Sequence, residues 1–309
     1  MIGTIFYWIL NMAVVGSMVG LVLLVLRKAK KLPRNFIYVL YSILLLRLVC
    51  PFGIVNGFSF LNLLPKGVIA KVDPATGEIG SKNSSIMLTN AIQTADTYDP
   101  LQQKSNGWTV AYQIGGTIWL IISVVILFIY LYWYIKAKNE FKKSEWIRDR
   151  IYQSKEINSP ITMGIIKPVI ILPIGFNETN PSYRYVIAHE QTHIRKKDNL
   201  WRMVAILLTC VYWFNPLIWM LQKSFFTDME LACDESTVRA LDKNERKNYA
   251  KALLEMSATK PVIYAAGFVT GSGIKVRIKR VVSYKQVTLL SGICLLGLFL
   301  LCAICLLTN

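Results

Sequence analysis

Four stretches of this chain are long and apolar enough to cross a bilayer as helices, which restricts its folds more than any other feature. About 20 helical residues span roughly 30 Å of hydrocarbon. The first stretch runs from about Ile5 to Leu26 and ends in Arg27, Lys28, Lys30, Lys31 and Arg34. The second, about Phe36 to Val55, contains Arg47 and passes Pro51. The third, about Ile114 to Ile135, finishes in Tyr132-Trp133-Tyr134 and Lys136, an interfacial aromatic belt followed by charge. The fourth, about Gln286 to Leu307, follows Lys275, Arg277, Lys279, Arg280 and Lys285.

Composition agrees. The chain is 54% hydrophobic and only 17% charged, against about 25% charged for soluble domains. Its mean hydropathy is +0.42. The net charge of +17 comes from 35 basic and 18 acidic residues. In a membrane protein such an excess sits in cytoplasmic segments beside anionic lipid, so membrane lipids rather than nucleic acid are the expected partner. Cys50, Cys210, Cys294, Cys302 and Cys305 lie in apolar runs, where a thiol packs as a small hydrophobe. The formal C-x-x-C of Cys302 and Cys305 has no partner motif and reads as helix packing.

Basic residues then orient the chain. The segment 27–35 carries only positive charge and is expected in the cytoplasm. The segment 56–110 balances Lys66, Lys71, Lys82 and Lys104 against Asp73, Glu78, Asp96 and Asp99, and is expected outside. This gives transmembrane helices 1 and 2 in residues 1–55, an extracellular loop over 56–110 and helix 3 over 111–135. A cytoplasmic domain then covers 136–285 and helix 4 covers 286–309. Both termini face outward. The first segment lacks a basic leading region and a small-residue cleavage site, and reads as a retained helix.

Within 136–285, the charged stretch 136–157 reads as helical. Pro160 to Pro173 is β-branched and bounded by Pro and Gly, which predicts a short hairpin with an edge strand. Asn180 as cap and Pro181 at the first helical position predict a helix to about Asp198.

That helix carries Tyr185-Val186-Ile187-Ala188-His189-Glu190-Gln191-Thr192-His193. Residues four apart share a helical face, so His189 and His193 can present two imidazoles to one metal ion. Glu190 can reach water on that metal and act as general base. The chain has just 2 histidines, and both fall at ligand spacing, which weighs against two chance surface residues.

A third ligand is required, with Asp198, Glu230 and Glu235 as candidates. Asp198 is expected to point away from the metal. Glu230 and Asp234 share a helical face at i and i+4, so Glu230 is the better ligand and Asp234 the better orienter of a histidine. An ordinary solvated acidic face is the bland alternative for both. The apolar run 203–221 resembles a fifth span. Crossing there would separate His193 from Glu230, however, and Asn215-Pro216 interrupts the run, so it reads as a helical hairpin returning to the same face.

The four apolar helices, Pro160 to Pro173, His189 to His193, Trp213-Phe214-Asn215-Pro216 and Glu230 to Asp234 together resemble the BlaR/MecR-type membrane metallopeptidases, transducers of inducible β-lactam resistance. The resemblance covers nearly the whole chain. It implies a mainly α membrane protein of the bacterial cell membrane, with four transmembrane helices and a cytoplasmic gluzincin-like α+β zinc protease domain. It implies one Zn2+ held by His189, His193 and Glu230, with Glu190 as catalytic base. It also implies an antirepressor that cleaves itself or a cytoplasmic winged-helix repressor of the penicillinase-repressor type; a homodimer is compatible with it. Self-cleavage in such relatives falls in the link before the last helix, which directs attention to Gly267 to Arg280. Penicillin-sensing members continue into an extracellular serine-acylated sensor, whereas this sequence reaches Asn309 just after the last helix and shows no S-x-x-K motif in its outward segments. Either the sensor is absent, or the sequence is a truncation, or another chain supplies it, and direct β-lactam sensing is not expected of these residues.

Two features stay open. Arg47 within the second span is either paired in the bundle or snorkelling. The strand Val169 to Leu172 is either an edge to which a substrate strand adds or an internal core strand. The competing functions are a housekeeping peptidase and a catalytically silent receptor.

Overall fold

The computed structural model describes residues 1–29, 32–50, 69–71, 86–88, 106–258, 273–286 and 288–307. Two apolar helices, α1 (Ile2–Arg27) and α2 (Arg34–Val49), open the chain and pack side by side. Small residues on α1 let neighbours approach closely. A Cβ on Gly16 would lie 2.3 Å from Leu48 of α2, and one on Gly20 would lie 2.3 Å from Leu221. Two short parallel strands follow, β1 (Ile69–Lys71) and β2 (Ile86–Leu88). They lie within the expected outer loop, most of which falls outside the described residues. Next comes α3 (Asn106–Phe141), whose 36 residues make a rod of about 54 Å that overreaches the hydrocarbon.

Among the described residues, α1, α3 and the last helix, α9 (Leu289–Leu307), are long and apolar enough to cross a membrane. Four spans were expected. The second corresponds to α2, which has 16 residues and stops at Val49, and Pro51 to Val55 of that span lie outside the described residues. Arg47 is buried, and its Nη1 donates to the Leu307 carbonyl of α9 at 3.4 Å. A guanidinium thus meets the carbonyl end of a helix dipole, where a cation is favoured. It does not snorkel.

The stretch expected to be helical over 136–157 divides. α3 runs on to Phe141, and β3 (Glu145–Arg148) and β4 (Ile151–Ser154) then form an antiparallel hairpin turning at Asp149, φ 44°. Its charge obscured a strand pair whose stability comes from pairing in a sheet, which overrides local propensity. β5 (Ile161–Met163) and β6 (Val169–Pro173) form the expected hairpin, with Ile161 opposite Ile171. Gly164 (φ 97°) turns it, and a Cβ there would meet the Lys167 carbonyl at 2.8 Å. The sheet order is β3-β4-β6-β5, with β4 and β6 parallel. The strand Val169 to Leu172 is therefore internal, and β5 is the edge on that side.

Among the described residues six helices follow: α4 (Tyr183–Lys196), α5 (Asp198–Val211), α6 (Pro216–Val238), α7 (Lys243–Ala258), α8 (Ile274–Val282) and α9. Ser182 rather than Asn180 caps α4, while the Asn180 side chain accepts from the Ser182 N–H at 2.7 Å. The apolar run 203–221 is a hairpin, as expected. α5 ends at Val211, and Asn215 caps α6 by accepting from the Leu217 N–H at 3.0 Å, with Pro216 at the position where a missing N–H costs nothing.

The tip of that hairpin lies among the apolar helices. Asn215 Nδ2 donates to Ser17 Oγ at 2.7 Å, Trp119 Nε1 to the Val211 carbonyl at 2.8 Å, and Tyr212 Oη to the Leu48 carbonyl at 2.7 Å. These bonds pair helix-end groups that water cannot reach in hydrocarbon. Ile218, Leu221, Phe225 and Met229 of α6 share one core with α1 and α2. Replacing Asn215 with Ala removes the cap and the Ser17 bond together, and should destabilise the detergent-solubilised chain by about 1–2 kcal/mol. A lowered thermal midpoint checks this; an unchanged one contradicts the role given to Asn215.

Candidate metal centre

α4 owes its place to Tyr185, Val186 and Ile187, buried against α7, α8 and the sheet. This turns the remaining face, with His189 and His193, toward α6. Both imidazoles are buried, 3% and 7% exposed, and their Nε2 atoms lie 3.2 Å apart. Glu230 of α6 completes a triangle: Oε2 is 3.6 Å from His189 Nε2 and Oε1 is 3.7 Å from His193 Nε2. Tetrahedral zinc with bonds near 2.0–2.1 Å separates its ligand atoms by about 3.4 Å. The three donors therefore fit one such ion without rearrangement.

The outer nitrogens set the tautomers. His193 Nδ1 lies 2.6 Å from Asp198 Oδ2 and donates to it. His189 Nδ1 lies 2.9 Å from the Tyr249 hydroxyl, which donates to Asp234 Oδ1 at 2.7 Å and so accepts from the ring. Each imidazole thereby carries its proton on Nδ1 and leaves an Nε2 lone pair toward Glu230.

Asp198 was expected to point away, and this is corrected. It does not continue the histidine helix. Lys197 adopts a left-handed conformation (φ 57°, ψ 37°) that ends α4, and Asp198 opens α5. The break turns its carboxylate back onto His193. Asp234 does serve His189, chiefly through Tyr249, its own oxygen being 3.4 Å from Nδ1. Glu235, the other ligand candidate, accepts from the backbone N–H groups of Arg34 and Asn35 at 2.5 and 3.3 Å. It caps α2 instead.

Glu190 is buried, 6% exposed, and Thr162 Oγ1 of β5 donates to its Oε2 at 2.6 Å. Asn199 steadies that edge by donating to the Thr162 and Gly164 carbonyls. Arg277 of α8 grips Asp234 with Nε at 2.7 Å and Nη2 at 2.8 Å, and lies 3.5 Å from Glu230 and 3.4 Å from His189 Nε2. Burial disfavours an ionised Glu230, but the histidines and Arg277 outweigh it and hold the pKa well below the usual carboxylate range. Burial likewise opposes a charged His189, yet Cys233 and Glu230 raise its pKa to about 10. The two shifts record mutual pairing of acidic and basic groups within one buried cluster.

Cys233 belongs to this cluster as well, and with both histidines it forms a compact group of metal-ligating types. Its Sγ lies 3.5 Å from His189 Nδ1 and 3.4 Å from the His189 carbonyl, and the thiol also interacts with His193. Sequence reasoning missed Cys233, Thr162, Tyr249 and Arg277. They come from separate elements with no shared motif. For Asp198 a signal existed: an acidic residue directly before a new apolar run is well placed to start a helix.

A family model described as BlaR1 peptidase M56 matches residues 7–281. The chain belongs to that family. It is a metallopeptidase family, and the chain is accordingly a membrane metallopeptidase homologue. The regulatory protein BlaR1 of Bacillus licheniformis is 37% identical over 139 residues, 43% of this chain and 23% of that protein. The methicillin resistance mecR1 protein of Staphylococcus aureus (strain Mu50 / ATCC 700699) is 28% identical over 145 residues, 44% and 24% respectively. The BlaR1 of Staphylococcus aureus is 23% identical over 186 residues, 52% and 32%. The matched region thus spans about a quarter to a third of each relative's length.

One further bond ties this M56 site to the apolar helix α2. Tyr38 Oη of α2 donates to Asp198 Oδ1 at 2.7 Å, directly behind His193. Asp198→Asn should weaken zinc affinity about 10–100-fold, and Tyr38→Phe should weaken it less. Competition against a chelator measures both. Native affinity in Asp198→Asn would contradict the orienting role.

Proposed function

We propose that this chain is a membrane zinc endopeptidase of signal transduction, cleaving itself, a cytoplasmic winged-helix repressor, or both. The observation that carries the reading is the triangle of two Nε2 atoms and one Glu230 carboxylate, next to a buried Glu190. His189, His193 and Glu230 would hold one Zn2+. Asp198 and the Tyr249–Asp234 pair would orient the rings. Cys233 is the weaker third ligand because its sulfur faces the protonated edge of His189.

Bound there, zinc lowers the pKa of a coordinated water to about 7 and polarises a peptide carbonyl. The chain's own groups do the rest. Glu190, aligned by Thr162, takes the proton of the attacking water and delivers it to the leaving amine. Arg277 stands where negative charge grows on the carbonyl oxygen and can stabilise it. The substrate's natural dock is β5, since β6 is paired on both sides and, among the described residues, β5 is the unpaired edge there. Glu190 lies against that edge through Thr162.

The proposed topology has four transmembrane helices with both termini outside and residues 136–285 in the cytoplasm. Basic residues at the end of α1 and the start of α2 support it, because Arg27, Arg34 and Asn35 touch the helix that bears Glu230. A repressor substrate rests on family membership and on relatives named as regulatory and resistance proteins. A housekeeping peptidase remains the second reading, and a neighbouring repressor gene separates the two.

Glu190→Gln is expected to retain zinc and to abolish cleavage of a co-expressed repressor, a loss of at least about 100-fold. Persisting cleavage in that variant would show that Glu190 is not the base.

A further inference from the structure

Beside the metal centre, and separate from it, a groove of about 1220 Å3 runs between the start of α2, the end of α6, α8 and α9. Its mouth is basic: Arg34, Lys275, Lys279, Arg280 and Lys285 line it, against two carboxylates, Asp234 and Glu235. Asp234 is already paired, which leaves Glu235 as the one lining carboxylate that faces them. Asp234 is gripped by Arg277, and Glu235 accepts from the backbone of α2. Arg34 is 8% exposed and already pairs with Asp228 at 3.0 Å, so Lys275, Lys279, Arg280 and Lys285 carry the excess charge. Burial first, then the neighbouring Arg34, pushes the Arg280 pKa below its usual value, against the pull of Glu235 and Asp228.

The other end of the groove is apolar. Leu290, Ser291, Cys294, Leu295 and Leu298 line it from one face of α9, a path of about 12 Å along the helix axis. Phosphate-binding charge thus passes directly into a hydrocarbon-lined channel beside a helix long and apolar enough to cross a membrane.

We infer that this groove seats one anionic glycerophospholipid, its phosphate at Lys279 and Arg280 and one acyl chain along α9. The lipid supplies the negative charge that the basic mouth lacks and covers the leucine face of α9. A zwitterionic lipid fits the channel equally but brings no net charge, so the site selects by headgroup. Because α6 and α8 form one wall, the lipid also braces the two helices that carry Glu230 and Arg277. The inference requires only that α9 lies in a membrane, and stands apart from the metal assignment.

The test uses the full chain purified in detergent, with retained lipid read by native mass spectrometry after titration with palmitoyl-oleoyl phosphatidylglycerol or phosphatidylcholine. The native chain should retain phosphatidylglycerol preferentially. Lys279→Gln with Arg280→Gln should lower that retention about tenfold or more, while the equal charge loss of Lys142→Gln with Lys143→Gln should change it little. Ser291→Trp, which fills the acyl path without altering charge, should lower it too. A photoactivatable phosphatidylglycerol should cross-link the native chain within 275–298, a readout that needs no variant. Equal retention of both lipids, equal loss in both double variants, or cross-links confined elsewhere would overturn the inference. So would full displacement by inorganic phosphate, which would make the ligand a free anion. Failure of the native chain to bind phosphatidylglycerol, as when residues 259–272 fill the groove themselves, would overturn it as well.

Discussion

Asp228 is fully buried, and Arg27, Arg34 and Tyr41 converge on it from the adjoining ends of α1 and α2. It lies two residues before Glu230. A buried carboxylate is tolerated only with such partners, and removing one leaves an uncompensated charge at a cost of about 3–5 kcal/mol. The clasp therefore fixes where α6 leaves the apolar bundle, and with it the height at which Glu230 meets the histidines. At the far end of the hairpin, Asn215 and Ser17 fix the depth to which the same helix is inserted. The site is built on a helix pinned at two levels by the apolar helices α1 and α2.

The two ligand-bearing helices also reach the bundle by separate routes. α6 is clasped through Asp228, and α4 is linked through His193, Asp198 and Tyr38. Lys196 adds a third tie, donating to Asn35 Oδ1 at 2.5 Å and to the Ala232 carbonyl at 2.9 Å. A shift of α2 against its neighbours would move Asp198 and Asp228 together. That arrangement suits a protease governed from the membrane, which is the role proposed for this M56 family member.

What was legible in the sequence depended on local pattern. Apolar length marked α1, α3 and α9; histidine spacing marked the face of α4; Asn215-Pro216 and the need to bring Glu230 back marked the hairpin. Each is a short-range signal with one physical meaning. The failures were of two kinds. Asp198 was misplaced because a continuous helix was extrapolated across Lys197, a non-glycine residue in a left-handed conformation, and the start signal of an acidic residue before a new apolar run was passed over. The β3–β4 hairpin was hidden because its strands are stabilised by β6 rather than by their own composition. Thr162, Tyr249 and Arg277 were beyond reach for a related reason: α7, α8 and the sheet edge come together only in three dimensions.

The central claim is that a divalent ion is held by two imidazole nitrogens and the Glu230 carboxylate, with Cys233 outside its coordination. Zinc K-edge X-ray absorption on the purified, zinc-loaded chain tests it most directly. The account predicts an inner shell of nitrogen and oxygen alone at about 2.0–2.1 Å, including two imidazoles. A sulfur scatterer near about 2.3 Å would place Cys233 on the metal and contradict it, as would failure of the native chain to take up zinc at one ion per chain.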